Sequence, residues 1–597
     1  MKSTRTLGVL AFLVCLIVIT LALLSSPSLY AQTVTQAFDP GPRPTGTTSV
    51  NCGPNTKFPN DSNCIDVAQP STAGTTNPFA DGAGNVVTNN GTPSGPLVGL
   101  WFQSITVFET FATVNGLTNA GTKNATILGL GPSFNAESCF ECHSQPTVGG
   151  TSSGKVTIVT LGGVTKTFES TVDPLKFTAV ENDNFTQNPE INSATDDFAT
   201  NSIPCFLQKT GTCVSGGNFF NGPVVETRFI NAVPADPVNH IDAVAAGGVG
   251  ELFVFAGRHD LPPNSTCKIG QEDFQTQIDN KNISFRMPTP TFGLGFVENT
   301  SDPTLVEAAQ DSAAAAAAAG ITGINFGVFN RTGNDGTITR FGWKAQNKSL
   351  LLFAGEASNV EMGVTDEIFP NEKTFGGDPS NQSCVNFNDY PEDQILVFNP
   401  TPTDPTNSSQ SAVIENDAVF MRLNGAPSQC LWSSAAGVCN SLSTDPNTIA
   451  GEQLFGSIVL ASGSTTANVG IGCVLCHTDV LTTGPSVTGG LGNATFHPFS
   501  DFALHHMGAG DADHVTQGNA GGDQFRPAPL WGAGQRLFFF HDGRATNLVD
   551  AIQDHCPVAS QTATAEFPVG EACQVVNKFN ALTATQKQDI LKFLRSL

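Results

Sequence analysis

Two short motifs constrain this chain more than any other feature of its sequence. Cys139-Phe140-Glu141-Cys142-His143 and Cys473-Val474-Leu475-Cys476-His477 share one Cys-x-x-Cys-His spacing. Chance would supply roughly 0.006 such motifs at this Cys and His content, so two are a signal. Two thiols three positions apart reach the two vinyl groups of one haem, and the adjacent imidazole reaches its iron. The motifs therefore predict two covalently bound haem c groups, held by Cys139, Cys142, Cys473 and Cys476, with His143 and His477 on the irons. A zinc site built from two Cys-x-x-Cys pairs leaves both histidines without a role. A dithiol redox pair is the other competing use of these thiols. Two haems mean electron chemistry, but not yet an enzyme. Two strong axial ligands make an iron an electron carrier, and an open or displaceable position makes it a catalyst.

The N-terminus fits haem attachment outside the cytoplasm. Lys2 and Arg5 precede an uncharged run from Leu7 to about Leu24, then small and polar residues lead to Ala31. That pattern predicts a signal peptide over 1–31 and a periplasmic or otherwise exported protein. The run is long enough that an uncleaved membrane anchor is the alternative. Beyond Cys15 and the two motifs, ten cysteines remain, an even number that suggests disulfides in an exported chain. Sequence neighbours suggest 52–64, 205–213, 430–439 and 556–573, leaving 267–384. Net charge is −25, from 27 Lys plus Arg against 52 Asp plus Glu. Phosphate backbones need clustered basic residues, so nucleic acid is not an expected partner. A basic redox partner would suit the charge.

At 597 residues the chain has room for roughly three domains. With 60 Gly, 37 Pro and 13% charged residues it should be rich in loops. Residues 32–95, full of Thr, Asn, Gly and Pro, read as an extended lead-in. A first haem domain is expected over 96–398. Within it, 150–260 holds Val/Thr/Phe runs such as Lys155 to Leu161 that read as short β insertions. Ala313 to Ala319 favours helix, with Asp311 and Gly320 as start and stop. The Pro-rich Asn399 to Pro405 opens a linker, 399–445, before a C-terminal cytochrome c domain, 446–597. Thr583 and Gln586 form a capping-box pattern ahead of Ile590, Leu591, Leu594 and Leu597 at helical spacing. The expected fold class is mainly α, with two cytochrome c-like haem domains and β-rich insertions.

The segments Phe525-Arg526-Pro527-Ala528-Pro529-Leu530-Trp531-Gly532 and Phe540-His541-Asp542-Gly543-Arg544 resemble the second domain of bacterial di-haem cytochrome c peroxidases. The longer di-haem oxidoreductase family, whose members are called thiol oxidoreductases or peroxidases, is the closer likeness. Weaker matches are Gly131 to Asn135, Phe285-Arg286 to Gly295, Arg340 to Lys344, and Glu361 to Thr365. The resemblance spans roughly 97–145, 285–370 and 446–597. It implies that Glu361, in its Glu-Met pair, lies over the peroxide-binding haem as an acid/base group. It places Trp343 between the haems, where it helps electrons pass. A ligand position fourteen residues after His541 is occupied here by His555, implying a bis-His second haem of lower potential than His/Met. Met507, in Leu504-His505-His506-Met507-Gly508, competes for that position. His541 is expected to hydrogen-bond a haem propionate or backbone rather than ligate. For the first iron, His240 and His259 are candidate sixth ligands from the long insert. The resemblance also implies a calcium ion between the domains, for which no ligands can be placed. His143 and His477 stand 334 residues apart, far more than in the shorter peroxidases, mainly because of that insert.

The expected activity is electron transfer from a small donor protein, through the C-terminal haem, to a first haem that reduces a small oxidant such as peroxide. A pure electron carrier with two six-coordinate irons is the alternative. A haem-dependent protein modifier or surface assembly protein is the third class, supported only by the long insert.

Overall fold

A computed structural model describes residues 36–40, 225–236, 243–250, 274–332, 335–370, 412–425, 445–458, 468–486 and 491–597. Short stretches between 87 and 168, and at 238, 253–254, 429, 431–433, 438–440 and 488, are described as well. The N-terminal apolar run, His240 and His259 lie outside the described residues. So, wholly or in part, do the cysteine pairs 52–64, 205–213, 267–384 and 430–439. Among the described residues, no helix is long and apolar enough to cross a membrane.

Helices carry most of the described regular structure, and strands form only two- and three-stranded sheets. This agrees with the mainly α expectation. The insert 150–260 contributes an antiparallel hairpin, Val156–Leu161 with Val164–Phe168, as its β-branched runs suggested. It also contributes Glu226–Phe229, the middle strand of a sheet flanked by Ile283–Arg286 and Val249–Gly250.

Helix Asp302–Ala318 contains most of the alanine run, but it starts earlier than Asp311. Ser301 caps it by accepting the Thr304 N–H, and Pro303 sits in the first turn, where a missing N–H costs nothing. The helix joins two cores. Leu305, Ala308 and Ala309 pack with Phe292, Phe341 and Phe420, while Ala315 and Ala316 pack with Phe455, Leu475 and Phe593. Leu481, Phe496, Phe502 and Trp531 from the C-terminal half complete the first core, so the two halves share it.

Part of the expected linker, 399–445, is helical. Within it, helix Val413–Leu423 buries Val413, Phe420 and Leu423 in the first core. The prolines up to Pro405 suit a linker, but the apolar residues from Val413 onward do not. The lead-in 32–95 also makes a fixed contact. Asp39 forms a buried 2.6 Å ion pair with Arg595 and accepts the Leu548 N–H at 2.7 Å.

In the C-terminal module, helix Pro446–Phe455 packs across helix Ala584–Ser596. Gly451 sits at the crossing: a Cβ there would lie 2.0 Å from the Asp589 carbonyl oxygen. The Thr583–Gln586 capping box is present in full. Cys556 and Cys573 are disulfide-bonded, with Cα atoms 4.8 Å apart.

Candidate functional site

The first cavity gathers residues from distant parts of the chain. Helix Cys139–Cys142 and His143 form one wall. Helix Leu350–Met362 forms another, capped at its start by Ser349 and ended by Gly363 at φ +63°. That left-handed turn suits glycine and leaves Glu361 in the last helical turn. The Glu361 carbonyl accepts N–H bonds from Asn135 and Ala136, at 2.7 and 3.0 Å, tying the helix to the segment before the first motif. Cys139, Cys142, His143, Glu361 and Trp343 all line this cavity.

His143 donates from Nδ1 to the Gly150 carbonyl at 3.0 Å, which leaves Nε2 as the lone-pair nitrogen. Burial lowers its pKa to about 4, so the imidazole is neutral, as a metal ligand must be. Asp417 lies 3.8 Å from the Cys139 sulfur, and burial raises its pKa to about 7.

Glu361 accepts from Asn135 Nδ2 at 3.0 Å, and Glu226 lines the same cavity. Burial, and then the Glu226 charge, raise the Glu361 pKa well above the carboxylate range. Burial pushes Glu226 the same way, but Arg228, paired to it at 2.6 Å, helps hold it below. Neither Glu226 nor Arg228 was anticipated from sequence. The available signal was an alternating pattern: Thr227 and Phe229 are buried, and Glu226 and Arg228 take the other face of the strand.

The second cavity is built differently. Cys473, Cys476 and His477 line it on one side. His477 donates from Nδ1 to the Phe499 carbonyl at 2.8 Å, and burial lowers its pKa to about 4. His555 follows helix Leu548–Gln553 and donates from Nδ1 to the Ala551 carbonyl at 2.7 Å. The two rings stand 6.3 Å apart between centroids. A metal–nitrogen bond of about 2 Å on each side, plus roughly 1.1 Å from each nitrogen to its ring centre, adds to about 6.2 Å. The separation of the ring centres is close to the one two imidazoles need on opposite sides of one iron.

The competing ligands are differently placed. His505 is held by Asp501 at 3.0 Å and Glu571 at 2.8 Å, so both of its nitrogens are committed. His506 is held by Asp523 and Gln524. Met507 does line the cavity. His541 lines it too, stacked on Phe525 at 4.4 Å and edge-on to Trp343 at 6.4 Å. Trp343 lines both cavities, and its Nε1–H donates to the Met287 carbonyl at 2.7 Å. Beside it, Asp513 pairs with Arg286 and Lys344, and all three are buried.

Both cavities fit a haem. The space not filled by protein is about 1230 Å³ in the first and 1540 Å³ in the second, part of it open to solvent. Arg526 and Arg536 are buried in the second cavity's wall. Burial lowers both to about 10, and among the described residues no carboxylate acts on Arg536. A buried guanidinium without an acid awaits one, and haem carries two carboxylates. In the first cavity, His143 is the one lining histidine among the described residues, and Met287, Met362 and Met421 also line it. The calcium expectation finds no support here: among the described residues, no three His, Cys, Asp or Glu side chains cluster to hold a metal.

A family model described as "Di-haem oxidoreductase, putative peroxidase" matches residues 263–597. The matched region contains Trp343, Glu361, the second motif and His555. The first motif and Glu226 precede it. No curated protein matches the chain.

Proposed function

The chain belongs to the di-haem oxidoreductase family, and from that premise we propose that it is an exported peroxide reductase fed by a small electron-donor protein. Each haem is attached through its motif's two thiols, with His143 or His477 on the iron. His555 would be the second protein group at the C-terminal haem, and Trp343, which lines both cavities, would help electrons pass between the two haems. The domains are the first haem domain, carrying its β insertions, and the C-terminal cytochrome c domain.

One contrast carries this reading. The second cavity presents a second imidazole, its ring centre 6.3 Å from that of His477, whereas the first presents at Glu361 a buried carboxyl whose pKa burial raises well above the carboxylate range. The first haem supplies an iron site for peroxide oxygen and a path for two electrons. The chain does the rest. Glu361 holds a proton for the leaving oxygen. Arg526 and Arg536 anchor carboxylates of the second haem. Trp343 keeps its ring fixed by the bond to Met287. The test is Glu361→Gln, which should keep both haems and lose most peroxide turnover. Unchanged turnover would refute the role.

A second reading has its own support. Met287, Met362 or Met421, all lining the first cavity, could close the first iron. The protein would then be an electron carrier.

A further inference from the structure

We propose that Asp511, in the wall of the second cavity, is a proton-binding site coupled to the second haem, taking a proton from solvent when an electron arrives there and returning it when the electron leaves. The inference rests on the reading of that cavity as a haem site, and not on peroxide as the oxidant.

Asp511 is 1% exposed and lines the second cavity. Its Oδ1 accepts from Arg544 Nη1 at 2.9 Å, while its Oδ2 is buried and meets no hydrogen-bond donor among the described residues. An ionised carboxylate can accept about four such bonds, so this one is poorly satisfied, whereas a protonated one needs fewer and its O–H can donate. The backbone fixes the group in place. The Asp511 N–H donates to the Gly508 carbonyl at 3.2 Å, and the Gly510 N–H donates to Ser560 Oγ at 3.0 Å. A Cβ at Gly510 would lie 2.3 Å from the Pro557 ring, so this segment packs tightly on the loop closed by Cys556 and Cys573.

The charges around Asp511 point the same way. Arg544 serves two carboxylates, because its Nε also stands 2.9 Å from both oxygens of Asp542. Two acids on one guanidinium leave one negative charge over, and Asp554 acts on Asp511 as a third acid. Burial, and then the Asp554 and Asp542 charges, raise Asp511 to about 7 against the opposing Arg544. The other titratable and charged groups of the cavity are accounted for. His505 lies between Asp501 and Glu571. Arg526 and Arg536 suit the haem carboxylates. Burial holds His477, His541 and His555 below the ordinary imidazole value.

A gained electron removes one positive charge from the cavity, so the spare negative site beside it binds a proton more tightly. The step balances. Asp511–COO− + H+ gives Asp511–COOH as the donor protein delivers one electron, and the reverse accompanies passage of that electron to the oxidant. Solvent supplies and receives the proton, and the Arg544 side chain, 23% exposed, lies between Asp511 and the surface. Asp511 acts on the haem through its charge, so it is a positioning residue.

The test is a redox titration of the intact holoprotein between about pH 5 and pH 9, either side of the Asp511 value of about 7. It follows the low-spin ferric signal of the second haem. The midpoint potential should fall as pH rises through this window, by up to about 59 mV per tenfold drop in proton activity, the limit of one proton per electron. In Asp511→Asn that slope should disappear. Reduced-minus-oxidised infrared spectra of the wild type should show a carboxylic acid C=O band that shifts in D2O, and Asp511→Asn should lack it. A flat wild-type potential, or a slope or band that survives in Asp511→Asn, overturns the proposal. Should that variant fail to take up haem, Arg544→Gln removes the cation that favours the ionised form and should move the window to higher pH. An unmoved window overturns the proposal as well. Absence of any low-spin signal from the second haem would overturn both the proposal and the reading beneath it. If the coupling is found but the wild type turns over no peroxide, Asp511 keeps its role and the peroxide reading falls.

Discussion

Gly451→Ala tests whether helix Pro446–Phe455 truly crosses helix Ala584–Ser596 at backbone contact. The new Cβ would meet the Asp589 oxygen at 2.0 Å and its carbonyl carbon at 2.5 Å. Cβ contacts need about 3 Å, so one helix must move by roughly 1 Å. The obstacle is backbone, and it lies on a helix whose Ile590, Leu591 and Phe593 are buried. Overpacking of this kind costs about 3 kcal/mol. Alanine regains about 1 kcal/mol of helix propensity over glycine. The net loss is about 2 kcal/mol, or a fall of about 4–8 °C in Tm for a module of this size. Thermal scans at 222 nm and in the Soret band would measure it. The Soret change should track the unfolding, because Phe455, Ile590 and Leu594 line the second cavity. An unchanged or raised Tm would mean that propensity dominates and that the helices do not touch this closely.

Two further outcomes are expected. His555→Ala should convert the low-spin ferric signal of the second haem to a high-spin one while haem content stays at two per chain. Retention of the low-spin signal would point to Met507. The second concerns His505. Burial lowers its pKa, but the Asp501 charge and the hydrogen bonds to Asp501 and Glu571 oppose that and raise it. Its stabilising contribution is then fully present below the unfolded pKa of about 6.5 and lost as pH rises through the folded one. His505→Gln should cost about 3 kcal/mol below that pH and less in alkali. Denaturant midpoints across pH would reveal the trend, and a penalty that grows with pH would contradict it.

Much of the site was legible because its chemistry fixes spacing. The Cys-x-x-Cys-His motifs, the capping box and the Cys556–Cys573 neighbours are short-range patterns. Glu361 and Trp343 could be singled out only through resemblance, since no local rule distinguishes them from a surface acid or a core aromatic. Glu226 and Arg228 escaped because their roles come from long-range pairing. Strand Glu226–Phe229 meets Ile283–Arg286 across some fifty residues, and Glu361 lies farther along still. Helix Val413–Leu423 was hidden by the prolines before it. Asp39 reaches Arg595 across nearly the whole chain, and no periodicity records such a contact.

The central claim is that one iron is open to oxidant while the other is held by two imidazoles. Low-temperature electron paramagnetic resonance of the pure protein, fully oxidised and then half-reduced, tests it most directly. A low-spin ferric signal from the second haem and a high-spin ferric signal from the first, in at least one of the two states, are expected. Low-spin signals alone in both states would contradict it and leave an electron carrier.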